Sequence, residues 1–391
     1  MLLILILSGG IININLYGQD DDKMNKSKYE VIKSFIIEGI NSGKFKEGEK
    51  IYSENMLARK FKVSRHTVRR AIMELEFEGL LVSQKGKGTF VSKKTADSSK
   101  CIAVLTTFIS DYIFPLIIRG IEKVISHEGY GLLLFSTDNS YEFERYHLES
   151  IINNPNIDAV IIEPTKSALP SKNQDLYKKL IQKDIPVIFI NTILEQISQN
   201  YIITKDHSAV YKLTTSLIKS GCKKLLGIFK GDDLQGIKRY SGFEKACREA
   251  GSEFDAIFFT SEEYNFIHKK AAEVISSGEF DAAVCYNDKI ALPLCVKLKE
   301  MGFKIPQDVS VTGYDNSLLS TLTDIKLTTV DHPKEKLGEM AAKAAIAMIK
   351  KGKNTVREEV ECEIIFRNST RVKQKEVTTV ENNNAKRYNF D

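Results

Sequence analysis

The stretch from Ser53 to Val91, SENMLARKFKVSRHTVRRAIMELEFEGLLVSQKGKGTFV, admits few folds. Its spacing predicts a helix, a turn, a second helix and a short two-stranded wing. Ser53 is placed to cap the first helix, whose Met56, Leu57 and Phe61 are expected to point inward. Val63 and Ser64 make the turn, Ser64 caps the second helix and Gly79 ends it. Along that second helix Val68, Ala71, Ile72 and Leu75 share one apolar stripe, which leaves Arg65, His66, Arg69 and Arg70 on the other faces. Donor-bearing side chains on the first turns of a helix suit phosphates and guanine edges in a major groove. Beyond it, Leu80-Leu81-Val82 and Thr89-Phe90-Val91 flank Gln84-Lys85-Gly86-Lys87-Gly88. Glycines let that tip come close to a DNA backbone, and the lysines bring charge.

Charge is divided unevenly along the 391 residues. From Met24 to Lys100 there are 17 Lys and Arg against 9 Asp and Glu, whereas the whole chain is only +5. A basic head on a near-neutral body is the electrostatic footprint of a nucleic-acid binder. A basic face could also meet acidic lipids, but no amphipathic anchor helix accompanies it. The six cysteines are scattered without a CxxC pair and read as free thiols in a reducing cytosol. The six histidines show no close pairing, so no metal site is expected.

Residues 1–23 begin apolar but lack a basic start, and the continuous run Leu2–Leu7 is too short for a signal core or a membrane span. They read as a misannotated or disordered extension, with translation starting at Met24. A first helix over 27–41 carries Tyr29, Val31, Ile32, Phe35, Ile36 and Ile40 as its stripe. The DNA-binding head is thus expected over 24–92, and a polar linker over 93–100. A body over 101–372 and a polar tail over 373–391 complete the chain.

From Cys101 the pattern changes. Apolar runs (CIAVLTT, YGLLLFS, DAVIIEP, PVIFIN, KKLLGIF, AIFF, DAAVCY, VSVTGYD) alternate with helical stretches, the last of them over 333–350. That alternation calls for parallel sheets covered on both faces. About ten strands would make a large single sheet, so two α/β lobes are expected. Ligands in such sheets bind beyond the carboxyl ends of the strands. That rule selects Ser110-Asp111-Tyr112 with Phe114, Asp138-Asn139, Glu163 with Lys166, and Asn191. Further along it selects Lys230, Asp232-Asp233, Asn287-Asp288 and Asp315-Asn316. Forked polar groups of this kind chelate neighbouring hydroxyls while an aromatic ring covers an apolar sugar face.

The head closely resembles the winged helix-turn-helix of the GntR family of bacterial regulators, on SEN-x-LA, VSRHTVRRAI, L-x-x-EGL and KGKGTFV in that order. Tyr52 departs from the pattern, the family usually having Pro there. Residues 101 to about 370 resemble the LacI-family effector domain, a periplasmic-binding-protein-like clamshell of type I. The motifs that carry this are FPLIIRGIE, GIFKGDDLQGIKRYSGF, YNDKIAL, VSVTGYDNS and LTTVDHPKEKLGEMA. The pairing of such a head and body, with TTFISDYIFPLIIRGIE and EPTKSA, is similar to the arabinose-responsive repressors of Gram-positive bacteria.

The resemblance implies DNA-facing roles for Lys28, Ser53, Glu54, Ser64, Arg65, His66, Thr67, Arg69, Lys85, Gly86 and Lys87. The position of Lys85 can be Gln in such heads, so a phosphate contact suits it better than a base contact. For the effector it implies Asp111, Tyr112, Phe114, Glu163 and Lys166 from the first lobe. His207, Lys230, Arg239 of RxxGF, Asp288 of NDxxA and Asp315 of GYD, where the chain crosses between lobes, follow as the rest of the set. The implied protein is a cytoplasmic repressor and not an enzyme. It would act as a homodimer on operator DNA with paired or palindromic half-sites, without a cofactor, and be released by L-arabinose bound between the lobes. A repressor of another carbohydrate operon, answering to a different monosaccharide, is the alternative. A Rossmann-type oxidoreductase or sugar kinase would want GxGxxG or a phosphate loop after the first strand, and TTFISDYIFPLIIRG offers neither. A secreted sugar-binding protein would not carry the winged head.

Overall fold

The structure, a computed structural model, describes residues 6–7, 10–11, 28–77, 80–84, 87–92, 100–352 and 355–372. The expected extension, linker and tail lie almost wholly outside the described residues. Two compact units divide the chain, Met1–Ser98 and Ser99–Asp391.

In the first unit a two-residue antiparallel pair, β1 (Ile6–Leu7) with β2 (Gly10–Ile11), precedes α1 (Lys28–Asn41), α2 (Glu54–Phe61) and α3 (Arg65–Phe77). An eight-residue helix such as α2 does not stand alone in water, so its ends matter. The Ser53 hydroxyl accepts from the Met56 N–H, and Lys62, at φ 49°, turns left-handed and returns its N–H to Ala58 and Arg59. Ser64 caps α3 by accepting from the Thr67 N–H at 3.1 Å. Ile32, Ile36, Leu57, Val68, Ala71, Ile72 and Leu75 are all buried in one core. Each buried Ile, Leu or Val among them contributes about 1.5–3 kcal/mol, and Ala71 less. Met56, expected inside, is 55% exposed. It precedes Leu57 by one residue, and the 100° step carries it off the buried face.

The wing is β3 (Leu81–Gln84) paired antiparallel with β4 (Gly88–Val91), and Leu81 opposite Val91 is its buried end. Backbone bonds from Gly48 and Ile51 to Val91 and Thr89 tie the segment before α2 to the wing. Tyr52 joins a cluster of rings instead of imposing the proline turn. It stacks on Phe35 (6.3 Å, 20°) and meets Phe45 edge-on at 5.3 Å.

In the second unit the chain runs β5 (Cys101–Thr106), α4 (Phe114–His127), β6 (Gly131–Ser136), α5 (Tyr141–Asn153), β7 (Ile157–Ile162), α6 (Gln174–Gln182), β8 (Val187–Asn191) and β9 (Tyr201–Thr204). There follow α7 (Asp206–Lys219), β10 (Lys224–Lys230), α8 (Leu234–Ala250), β11 (Glu253–Phe259), α9 (Ile267–Gly278), β12 (Ala282–Cys285), α10 (Asp288–Glu300) and β13 (Ser310–Tyr314). β14 (Thr328–Asp331), α11 (Lys334–Lys351), β15 (Arg357–Val360) and β16 (Glu363–Ile365) complete it. Two six-stranded sheets result, ordered β15-β9-β8-β7-β5-β6 and β11-β10-β12-β13-β14-β16. All strand pairs in them are parallel except β14 with β16.

The two lobes are interleaved. The chain passes from the first to the second at Lys205, returns at His332–Pro333, and passes again at Glu361. Helix α11 therefore packs in the first lobe's core, where Leu337, Ala341 and Ala345 sit beside Ile117 and Ile121 of α4. Asp315 ends β13 and is not itself a crossing. Lys334, just past the second crossing, donates its ammonium to the Asp315 carbonyl. The carboxyl ends of both sheets open on one cleft.

Candidate functional site

In the head, the first turns of α3 present Arg65, His66 and Arg69 to solvent. Glu54, at the start of α2, reaches across to them. Arg69 donates from Nε to Oε1 at 3.1 Å and from Nη2 to Oε2 at 3.0 Å, while Arg65 adds a longer contact of 3.4 Å. The bond from Arg69 keeps the Glu54 carboxyl below its usual range, so it is ionised at neutral pH. Ser64 and Thr67 bond each other at 2.9 Å, and Lys87 is exposed at the wing. Sequence reading missed Lys50. Gly88 has φ +116°, and a Cβ there would stand 2.3 Å from the Lys50 side chain, which lies against the start of β4. The side chain of Lys28, and all of Lys85 and Gly86, lie outside the described residues.

In the body, a cavity of about 350 Å³ lies between the lobes. Asp111, Tyr112, Phe114, Glu163 and Lys166 line it from the first lobe, and Lys230, Arg239 and Asp315 from the second. The backbone is bent to deliver them. Tyr112, Asp138, Asn139, Lys166 and Asp315 all have positive φ (60°, 46°, 57°, 45° and 98°), as do the neighbouring Asn191 and Asn316. Such conformations cost about 1–3 kcal/mol each and persist where the surroundings over-determine them. Their concentration at the strand ends marks the cleft as the built part of the molecule.

Arg239 is 2% exposed. It donates from Nε to Asp206 at 2.8 Å and from Nη1 to the Tyr286 carbonyl at 2.8 Å, and its guanidinium stacks 3.5 Å from the Tyr314 ring centre. Burial opposes its charge, but Asp206 and the two rings hold it firmly protonated. Glu163 accepts from the Thr107 hydroxyl (2.6 Å) and N–H (3.2 Å) and from Asn191 (2.8 Å), and burial pushes its carboxyl up. Burial likewise raises Asp315, against the pull of Arg239 and Lys334.

Each of the four cations lining the cavity stands by a carboxylate. Lys166 meets Glu262 at 2.8 Å, Lys289 meets Asp111 at 2.6 Å, Arg239 meets Asp206 at 2.8 Å, and Lys230 lies 3.6 Å from Asp232. With Asp138, Glu163, Asp233 and Asp315 also on the wall, the cavity is furnished for neutral hydroxyl groups and not for an anion.

Two expected effector residues lie elsewhere. Asp288 is fully buried behind the wall, where it accepts from the Ser317 N–H (2.7 Å) and hydroxyl (3.0 Å) and from Thr329 (2.7 Å). Burial and the nearby Asp315 charge push it up to about 7. Its neighbour Asn287 lines the cavity in its place and caps α10. His207 stands one residue past the inward-facing Asp206, and its ring lies parallel to Tyr211 at 6.5 Å, off the cavity. Among residues that reading missed, Ser261, Tyr264 and Asn265 follow β11, where the strand-end rule applies equally. Gln235 and Phe108 also line the cavity. Gln235 is 6% exposed, and among the described residues its Nε2 has no hydrogen-bond partner.

Among the described residues no cluster of three His, Cys, Asp or Glu side chains could hold a metal ion, and no helix is long and apolar enough to cross a membrane. No disulfide joins any of the six cysteines, all of them described residues, and all but Cys101 are buried.

Comparison with known proteins agrees with this architecture. Residues 28–91 match the model of bacterial regulatory proteins of the gntR family, and residues 214–370 that of a periplasmic binding protein-like domain. The arabinose metabolism transcriptional repressor of Halalkalibacterium halodurans is 38% identical over 87% of this chain and 94% of its own. The repressor of the same description from Geobacillus stearothermophilus is 38% identical over 88% of this chain and 98% of its own. Among solved structures, the transcription regulator CcpA of Lactococcus lactis superposes with a TM-score of 0.63 at 26% identity, over 70% of this chain and 99% of that one. The chain is therefore a DNA-binding transcriptional repressor and not an enzyme, and it belongs to the family of the arabinose metabolism transcriptional repressors.

Proposed function

We propose that this repressor is released from its operator by L-arabinose bound in the interlobe cavity. The observation that carries the reading is the wall itself: both lobes contribute to it, it is rich in carboxylates and amides, and all its cations are already paired. A neutral polyol can bond such a wall from both sides, whereas a sugar phosphate would meet no unmatched positive charge. The two relatives named for arabinose metabolism favour arabinose among neutral sugars.

In this reading residues 24–92 bind DNA through Arg65, His66, Thr67, Arg69 and the wing lysines, with Ser53 and Ser64 as caps and Glu54 orienting the arginines. Residues 101–372 bind the sugar through Asp111, Tyr112, Phe114, Glu163, Lys166, Lys230, Gln235, Arg239, Asn287 and Asp315. The protein works in the cytoplasm as a homodimer, because a two-fold arrangement matches heads to paired half-sites. The test is operator affinity, on a fragment selected from a random library, with and without saturating L-arabinose, D-xylose, D-ribose and D-galactose. Release by L-arabinose alone at low concentration is expected. Release by another sugar in its place would overturn arabinose and leave the cleft standing, and release by none would overturn the cleft.

A further inference from the structure

Among the described residues, side-chain contacts join the lobes across the cleft, and besides the more buried Ser167–Asp233 bond three of them lie between exposed or half-exposed partners. Lys166 meets Glu262 at 2.8 Å, Asp111 meets Lys289 at 2.6 Å, and Asn139 bonds Ser261 at 2.5 Å. Lys166 and Asp111 belong to the first lobe, and Glu262 and Lys289 to the second. We propose that the pairs Lys166–Glu262 and Asp111–Lys289 form an interlobe latch whose strength sets how tightly and how long the cleft holds its ligand. The proposal rests on the sugar reading above only for its ligand.

An exposed ion pair ordinarily contributes little, because two long side chains must be ordered to make it. Here Lys166 and Glu262 stand on turns fixed by other bonds, and Lys289 stands on the first turn of α10. The Lys166 N–H donates to Asn139 Oδ1 at 3.3 Å, and the residue holds φ 45°. On the other side Ser261 donates its N–H and hydroxyl to Asp232 at 3.1 and 2.6 Å, and the hydroxyl and N–H of Thr260 both bond Glu263. Glu262 is thus carried on a braced turn, and its carboxyl is held down at about 2, chiefly by the Lys166 bond. Because both pairs span the lobes, their whole contribution falls on the closed arrangement. Glu262 lies outside the cavity wall, so changing it alters closure without removing a ligand contact.

A neutral sugar brings no charge of its own, so salt dependence of its binding reports the latch. Raising salt from about 0.1 M to about 1 M shortens the screening length from about 10 Å to about 3 Å and should weaken wild-type binding. Titration calorimetry of the full chain with L-arabinose should show Glu262→Gln binding about two- to five-fold more weakly at low salt, with a reduced salt response. Glu262→Lys faces Lys166 with a like charge, so its affinity should fall further and recover as salt rises. Wild-type affinity and salt response in Glu262→Lys would overturn the latch. Closure can also be read without a sugar, from the rate of disulfide formation between Asn139→Cys and Ser261→Cys. Adding Glu262→Lys should slow that rate, and an unchanged rate overturns the latch whatever the sugar does. If wild type binds none of the sugars while the cross-link slows as expected, the sugar assignment falls and the latch stands.

Discussion

The way Glu54 holds Arg69 decides what that arginine can still do. A guanidinium has five N–H groups, and the Nε–Nη2 edge is taken by the carboxylate at 3.1 and 3.0 Å. The Nη1–Nη2 edge remains, and it is the fork that fits guanine O6 and N7. Arg69→Ala should therefore weaken the cognate site by about 1–3 kcal/mol and relax preference at one base pair, as read by binding to single-base variants. Lys87→Ala, at the wing, should weaken cognate and random DNA alike and lower the slope of log affinity against log salt by about 1. Equal losses on both DNAs for Arg69→Ala would remove its base-reading role. The arginines were legible because helical period assigns faces from Val68, Ala71, Ile72 and Leu75 alone. Glu54's grip was not, since nothing in a one-dimensional string ties position 54 to position 69. The same blindness left Asn287 and Asp288 undivided at the strand end, and the resemblance singled out Asp288, which does not line the cavity. Adjacent residues at a strand-to-helix turn point in different directions, and only the bonds to Ser317 and Thr329 show which one turns away.

Among the elements, helices were more legible than strands. The first helix, expected over 27–41, runs Lys28–Asn41, and the last, expected over 333–350, runs Lys334–Lys351. β9, β14, β15 and β16 were not read as strands, for different reasons. β15 is Arg-Glu-Glu-Val, an exposed edge paired only to β9, where charge is tolerated and no apolar run is required. β9 and β14 are four residues long, too short for a period to be counted. What periodicity also hides is how closely two helices approach. A Cβ on Gly120 would stand 2.1 Å from the Glu335 carbonyl oxygen, and one on Gly338 would stand 2.1 Å from that of Ile117, so α4 and α11 touch backbone to backbone. Gly120→Ala should destabilise the body by about 1–3 kcal/mol despite alanine's better helix propensity, because backbone cannot step aside as a side-chain tip can. Gly338→Ala should do the same, and the double variant should lose less than the sum, since one separation of the helices relieves both clashes. Thermal unfolding of the body checks all three, and an alanine variant as stable as wild type would show that the helices have room to part.

At the scale of the molecule, a basic head and a two-lobed body could be read from charge division and from the strand–helix alternation. The threefold passage of the chain between lobes could not, because it depends on α11 and β15 returning to the first sheet. Those passages lie against the cavity: Arg239 bonds Asp206 beside the first, and Lys334 bonds Asp315 beside the second. This makes Arg239 a poor probe of sugar binding. Arg239→Ala would leave Asp206 as a buried unpaired carboxylate at a cost of about 3–5 kcal/mol, so lost response and lost folding would be confused. Gln235 separates them. Its buried Nε2 has no partner among the described residues, and replacing an unsatisfied polar group by an apolar one of similar shape is neutral or stabilising. Gln235→Met should therefore melt at or above the wild-type temperature and bind operator normally without sugar. If the amide serves a sugar hydroxyl, the variant should need roughly 5- to 150-fold more L-arabinose for release, the equivalent of about 1–3 kcal/mol. Linkage adds a check that needs no repression assay: operator DNA must weaken sugar binding by the same factor by which sugar weakens operator binding, in wild type and variant alike. A Gln235→Met protein that is stable and releases operator at the wild-type midpoint would show that the orphan amide does not meet the effector.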